Sequence, residues 1–237
     1  MNKDQRLLEE AYYRVRGNDE EVEATLRKYI ADVEKGKDGD LDLWKTPVVS
    51  LPKELTRVRG DLNLYKTKIT SLPEGLSVDG KLDVSFTDIK ALPENLSVGG
   101  NLDLRTCGKI NSLPRNLSVG GTLDLSWTKI KTLPSDIKIG RSLLLVGSEI
   151  QSLPENLHLV GDLNLEDTKI SSLPSGLFIE GILLLKRSAF QKVSQLPLDL
   201  KCWAIDSWDF KTQDFLRHQE LSKKLSPDFD IGALEDF

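Results

Sequence analysis

The apolar positions of this chain alternate strictly over short stretches, and those stretches recur at a fixed longer period. Leu62 and Leu64 flank Asn63, Leu102 and Leu104 flank Asp103, and Leu123 and Leu125 flank Asp124. An apolar pair around one polar residue predicts a short strand with one face buried. Around it the chain repeats the unit G-x-L-x-L-x-x-T-x-I-x-x-L-P-x-x-L-x-V-x. Copies begin at Gly39, Gly60, Gly80, Gly100, Gly121, Arg141, Gly161 and Gly181, in steps of 21, 20, 20, 21, 20, 20 and 20 residues. A register held this long predicts a solenoid with one coil per unit, because a single coil cannot bury its apolar side alone.

Each slot of the unit carries its own expectation. The isoleucine (Ile69, Ile89, Ile110, Ile130, Ile150, Ile170) turns back into the core. The Leu-Pro pair, from Leu51-Pro52 to Leu173-Pro174, leaves the strand, since proline fixes φ and donates no N–H. The following L-x-V, such as Leu76 and Val78, returns the chain along the other side. The leading glycine permits a tight corner. Thr46, Thr67, Thr87, Thr128 and Thr168 share a slot, with Ser148 and Ser188 as substitutes. The fourth coil holds one extra residue at Arg105-Thr106-Cys107-Gly108-Lys109, which predicts a small bulge and a buried, unreactive Cys107.

The unit resembles the leucine-rich-repeat family, specifically the short bacterial type with a Leu-Pro in each 20–21-residue coil. Secreted effectors of Gram-negative pathogens carry a similar repeat. The resemblance covers about residues 39–200 and departs from the effector type in its glycine-led strand and in threonine where asparagine is usual. It implies a curved α/β-type solenoid with a parallel sheet on the concave face, and a protein-binding role. The asparagine of many members bonds to backbone in adjacent coils, so the threonine hydroxyls are expected to do the same more weakly.

Residues 39–200 are thus expected to form a solenoid of about eight coils, between an N-terminal helical cap (1–38) and a C-terminal cap with an acidic tail (201–237). The N-terminal segment reads as a helical hairpin. Its first helix carries Leu7, Leu8, Ala11, Tyr12 and Val15 on one face and stops near Gly17. The second opens with Asn18 as N-cap and Glu21 three positions on, runs through Val22, Leu26, Tyr29, Ile30 and Val33, and ends at Gly36. The hairpin either covers the first coil or docks a partner. At the other end Trp203, Ile205 and Trp208 suggest a last strand, and 211–224 a short helix with Phe215, Leu216 and Leu221 inward.

Composition narrows the function classes. Of 237 residues, 39% are hydrophobic and 29% charged, which suits a folded soluble chain. A net charge of −5 supplies no global attraction to nucleic acid or anionic membranes. No apolar run approaches the roughly 18 residues that span a bilayer. Met1-Asn2-Lys3-Asp4 leads into charged sequence and not an apolar signal region, so a cytoplasmic setting is the default and export without a cleaved signal stays open. The two cysteines, Cys107 and Cys202, support neither a disulfide framework nor a zinc motif.

No catalytic constellation is visible. The two histidines, His158 and His218, have no second ligand at metal spacing, and no phosphate loop or nucleophile motif occurs. Effectors resembling this chain can carry a C-terminal ubiquitin-ligase domain with a cysteine nucleophile, and the stretch after the repeats is too short for one, so Cys202 takes no such role. The chain is therefore expected to be no enzyme and to need no cofactor or metal.

The outward slots carry the functional expectation. Between the strand leucines stand Asp42, Asn63, Asp83, Asp103, Asp124, Leu144, Asn164 and Leu184, with aromatics just past the second leucine at Trp44, Tyr65, Phe86 and Trp127. Adding Arg105, Val146 and Glu166, and leaving out Leu184, gives the candidate partner-binding face. The carboxylates read either as a solvated polar face or as an acidic stripe for a basic partner. Exposed aromatics in a row favour an interface with another protein. Lys68, Lys90, Lys109, Lys129, Lys131 and Lys169 form a loop edge without interleaved arginines, a weak case for nucleic acid. A structural or self-associating repeat protein, monomeric or weakly oligomeric, is the alternative to a binding module.

Overall fold

The computed structural model describes residues 13–14, 19–37, 39–190, 196–197, 199–207, 213–214, 216–217 and 220. Over the repeats it is a parallel-strand solenoid of about eight turns, entered through a single N-terminal helix.

Each coil contributes a two-residue strand to a front sheet. These are β2 (Leu41–Asp42), β4 (Leu62–Asn63), β6 (Leu82–Asp83), β8 (Leu102–Asp103), β10 (Leu123–Asp124), β12 (Leu143–Leu144) and β14 (Leu163–Asn164). They pair in parallel and in exact coil register, Leu62 against Leu82 and Leu82 against Leu102. The return segments form a second, five-stranded parallel sheet that the sequence reading had only as a return path. Its strands are β3 (Arg57–Val58), β5 (Ser77–Val78), β7 (Ser97–Val98), β9 (Ser118–Val119) and β11 (Lys138–Ile139). In the eighth coil the two paths fuse, because β15 (Phe178–Leu184) runs straight through Gly181 and pairs with both β13 (His158–Leu159) and β14. β16 (Lys201–Asp206) extends this edge.

The core lies between the sheets as columns of identical positions. Leu62, Leu64, Ile69 and Leu76 are fully buried, as are their counterparts in the third and fourth coils. Each such side chain contributes about 1.5–3 kcal/mol of apolar transfer, and only stacking supplies the partner surface.

Two polar slots here are consumed by the backbone. The first is the residue after the leading glycine. Oδ1 of Asp61 accepts from Lys81 N at 2.6 Å, Asn101 serves Thr122 at 2.8 Å, and Asp162 serves Ile182 at 2.8 Å, so side chains stitch coil to coil here. The threonines do not do this, contrary to expectation. Thr67 Oγ1 donates to Leu64 O at 2.7 Å and Thr128 Oγ1 to Leu125 O at 2.6 Å, within their own coil, because the turn brings that carbonyl closer than any neighbour's. Cys107 fills this slot in the fourth coil, fully buried, with Sγ 3.1 Å from Val84 O. The extra residue falls after it, in a second turn at Gly108–Lys109.

The leading glycines also have a different reason from the one expected. Gly80 and Gly100 have no positive φ; a Cβ on them would come within 2.9 and 2.8 Å of the backbone carbons of Gly60 and Gly80. Close coil stacking, not a tight corner, requires them.

The N-terminus is corrected as well. Tyr13–Arg14 is a strand (β1) pairing with Leu41–Asp42, where the sequence reading extended a helix to Gly17. The free edge of the first coil recruits an extended segment despite its helical spacing. The rest of that helix and the Asn18 cap lie outside the described residues. The second helix is present as α1 (Asp19–Glu34), which buries Val22, Leu26 and Tyr29 on the first coil and stops at Gly36, whose φ is +79°. At the other end Trp203 lies on β16, 79% exposed, and Trp208 is outside the described residues. Residues 213–214, 216–217 and 220 are helical, but Leu216 is 53% exposed and not inward; Phe215 and Leu221 are undescribed.

Candidate functional site

The candidate site is the outer surface of the front sheet and the turn that follows each of its strands. Every turn passes one residue through the left-handed region, at Lys45, Lys66, Phe86, Thr106, Trp127, Gly147, Asp167 and Arg187, with φ between 54° and 62°. The residue before it, directly after the second strand apolar, is Trp44, Tyr65, Ser85, Arg105, Ser126, Val146, Glu166 or Lys186. The four aromatics therefore do not share one slot. Trp44 and Tyr65 stand in the first row, Phe86 and Trp127 one residue further out in left-handed backbone.

The carboxylate ladder has a structural use that the sequence reading did not foresee. Oδ1 of Asp42, Asn63, Asp83, Asp103, Asp124 and Asn164 each accepts the backbone N–H two residues on, at 2.9–3.1 Å. This is an Asx turn, which ends the strand and starts the bend. The remaining charge is partly paired. Lys81 Nζ lies 2.9 Å from Asp83 and 3.9 Å from Asp103; Arg105 binds Asp103 at 2.7 Å and reaches Asp124 at 3.4 Å. Hydrogen bonding to Asp103 holds the Arg105 guanidinium more firmly protonated than usual. Burial, reinforced by Asp103, pushes the Asp124 carboxyl above its ordinary value against the pull of Ser126 and Arg105.

The aromatics form a chain of contacts. Trp44 stacks on Tyr65 with centroids 6.4 Å apart, and Tyr65 meets Phe86 edge-on at 5.5 Å. Lys45 sits 4.2 Å from the Trp44 ring, and Lys66 5.2 Å from both Tyr65 and Phe86. Trp127 leans the other way, onto Gly147. Phe86 is drawn towards the second coil and Trp127 towards the sixth, and a groove of about 680 Å³ runs along this face from the third coil to the sixth. It joins Phe86, Arg105, Asp124, Trp127, Leu144 and Val146 from the expected set. Thr106 and Ser126, which the sequence reading missed, complete it. Their small side chains where neighbouring coils carry large ones are the signal that could have found them. Asp42, Trp44, Asn63, Tyr65, Asp83, Asp103, Asn164 and Glu166 do not line the groove; Tyr65 touches Phe86 and Trp44 touches Tyr65, and Asn164 Nδ2 donates to Glu166 at 3.1 Å. Phe86 is 45% exposed and Trp127 58%.

Elsewhere the polar groups offer less. The lysine edge is exposed but broken by Asp88, which pairs with Lys109 at 2.9 Å, and by Glu149. His158 stacks on Phe178 at 4.7 Å and meets Glu180 at 2.9 Å on the back of the stack. Burial pushes the Cys202 thiol up to about 12 and raises that of Cys107. Among the described residues no three His, Cys, Asp or Glu side chains are grouped to hold a metal, and no helix is long and apolar enough to cross a membrane.

Parallel coils of 20–21 residues, an L-x-L strand on one face and a Leu-Pro exit settle the architecture. The fold is a leucine-rich-repeat solenoid. Among solved structures this leucine-rich-repeat chain is similar to a Shigella effector LRR domain, at 17% identity and a TM-score of 0.49, over 83% of this chain and 92% of that one. YopM from Yersinia enterocolitica matches at 17% identity and a TM-score of 0.26, over 71% of this chain and 55% of that one. No protein-family model and no curated protein matches the sequence.

Proposed function

We propose that this leucine-rich-repeat chain is a non-enzymatic protein-binding module, acting as an effector, inhibitor or adaptor, and that it engages its partner with the outer, concave face of the front sheet. The observation that carries this reading is the groove along the third to sixth coils, with Phe86 and Trp127 exposed in its lining. Large aromatics left half in water are costly unless an occupant covers them, and they dominate protein interfaces when one does. The Asx turns support a division of labour: the carboxylates shape the rim, and the aromatics, with Leu144 and Val146, supply the apolar contact. The interrupted lysine edge favours protein over nucleic acid.

The test begins with affinity capture from the native host and identification of the captured protein. That protein, purified, is then titrated against the wild type and against a Trp44→Ala, Tyr65→Ala, Trp127→Ala triple variant. Binding falls at least about 100-fold, given roughly 2 kcal/mol or more for an anchor residue. Unchanged binding by a triple variant that keeps its circular dichroism overturns the reading.

A further inference from the structure

The left-handed slot of the turn is filled by a side chain in seven of the eight coils, and by glycine only in the sixth. Lys45, Lys66, Phe86, Thr106, Trp127, Asp167 and Arg187 all adopt φ of 54–61° there, so the backbone itself does not demand glycine. Gly147, at φ +62°, differs in what lies above it. A Cβ at this position would stand 2.5 Å from Cε3 and Cζ3 of Trp127 and 2.8 Å from Cδ2. Those atoms belong to the six-membered ring of the indole, so that ring lies across the bare backbone of the next coil. The absence of one side chain is what lets the indole lie down.

We infer that Gly147 is a positioning residue: it seats the Trp127 indole on the sixth coil and thereby fixes the part of the groove's lining that Trp127 supplies. Any side chain at 147 pushes the ring off this seat, and the readiest direction is back over Thr106, into the groove. The groove's width is thus set by a pair of residues a coil apart, Trp127 and Gly147, and its occupant is selected by that width. An indole already held flat loses little freedom on binding, which favours affinity. The consequence for binding rests on the function proposed above; the seating of the ring does not.

The experiment separates the two. In a Trp44→Phe, Trp203→Phe, Trp208→Phe background, Trp127 is the only indole and its fluorescence reports its seat. Gly147→Ala is compared there with Gly75→Ala, which places a Cβ at φ +68° with nothing within 4 Å and so carries the same left-handed backbone penalty without a contact. Gly147→Ala shifts the emission maximum and changes acrylamide quenching, while Gly75→Ala leaves both as they were. Thermal melting supplies a second reading: the drop caused by Gly147→Ala shrinks to that of Gly75→Ala once Trp127 is also Ala. Unchanged fluorescence in Gly147→Ala, or a melting drop indifferent to Trp127, overturns the inference. If the seat is confirmed but Trp127→Ala leaves partner binding intact, the proposed function fails and the positioning role stands.

Discussion

At the scale of single residues, one slot shows how narrowly chemistry is specified. Thr46, Thr67, Thr87, Thr128 and Thr168 each donate their hydroxyl to the carbonyl three residues back at 2.6–2.7 Å. Ser148 occupies the same slot, 5% exposed, yet its Oγ has no hydrogen-bond partner among the described residues. The β-branched threonine has a restricted χ1, and its methyl directs the hydroxyl inward; serine lacks that guide. Ser148→Thr should therefore satisfy a buried hydroxyl, a gain of about 1 kcal/mol. For a chain of this size that is a rise in Tm of roughly 2–4 °C. A lowered Tm would show that the sixth coil has no room for the methyl. The slot was legible in the sequence as a column of hydroxyls. Its partner was not, because a 20-residue period is equally compatible with a bond inside the coil and one between coils.

At the scale of elements, the junction of strand and turn decides most of what the front face can do. The alternation of apolar and polar residues located the front-sheet strands of the repeats, though not β1 or the strands of the return sheet, and the leucine, isoleucine and Leu-Pro columns located the core. What stayed hidden is the conformation one residue past the strand. Phe86 and Trp127, two residues past the second strand apolar, sit in left-handed backbone that bulky residues seldom adopt, whereas Trp44 and Tyr65, one residue past it, precede that position; the one-residue offset is visible in the sequence, but the conformation it leads to is not. The Asx turns were equally hidden, since an aspartate between two leucines reads as an outward charge whether or not it caps a backbone N–H. Asp124 gives this a pH signature. Burial is the chief cause that raises its carboxyl above its ordinary value in the folded chain. Such a group contributes its full stability below the unfolded value near 4 and loses it as pH rises through the folded value. Asp124→Asn keeps the Asx acceptor and cannot ionise. It should match the wild type in Tm at about pH 3 and exceed it at about pH 7. A variant less stable at neutral pH would mean that the attraction to Arg105 outweighs the cost of burying the charge.

At the scale of the molecule, a solenoid conducts stability only from coil to coil, so its end must be sealed and the seal acts locally. At the N-terminal end α1 packs on the stack, and Tyr29 ties it to two coils at once. The fully buried phenol donates to Gly39 O at 3.0 Å and accepts from Arg59 N at 3.1 Å, joining the entry of the first coil to the entry of the second. The helical stripe marked Tyr29 as inward in the sequence; the hydrogen bonds across ten and thirty residues could not be read there, because they depend on where the helix lands. Tyr29→Phe keeps the packing and removes both bonds, leaving backbone groups short of a partner at a cost of about 1–3 kcal/mol. In a globular core that loss would spread through the whole structure. Here the amides of Leu41 and Leu43, bonded to Asp61 and Asn63, should exchange with solvent about ten-fold faster or more, while the amide of Leu165, bonded to Leu184 six coils further on, keeps its rate. Acceleration of equal size at both ends of the stack would show instead that the eight coils open as one cooperative unit.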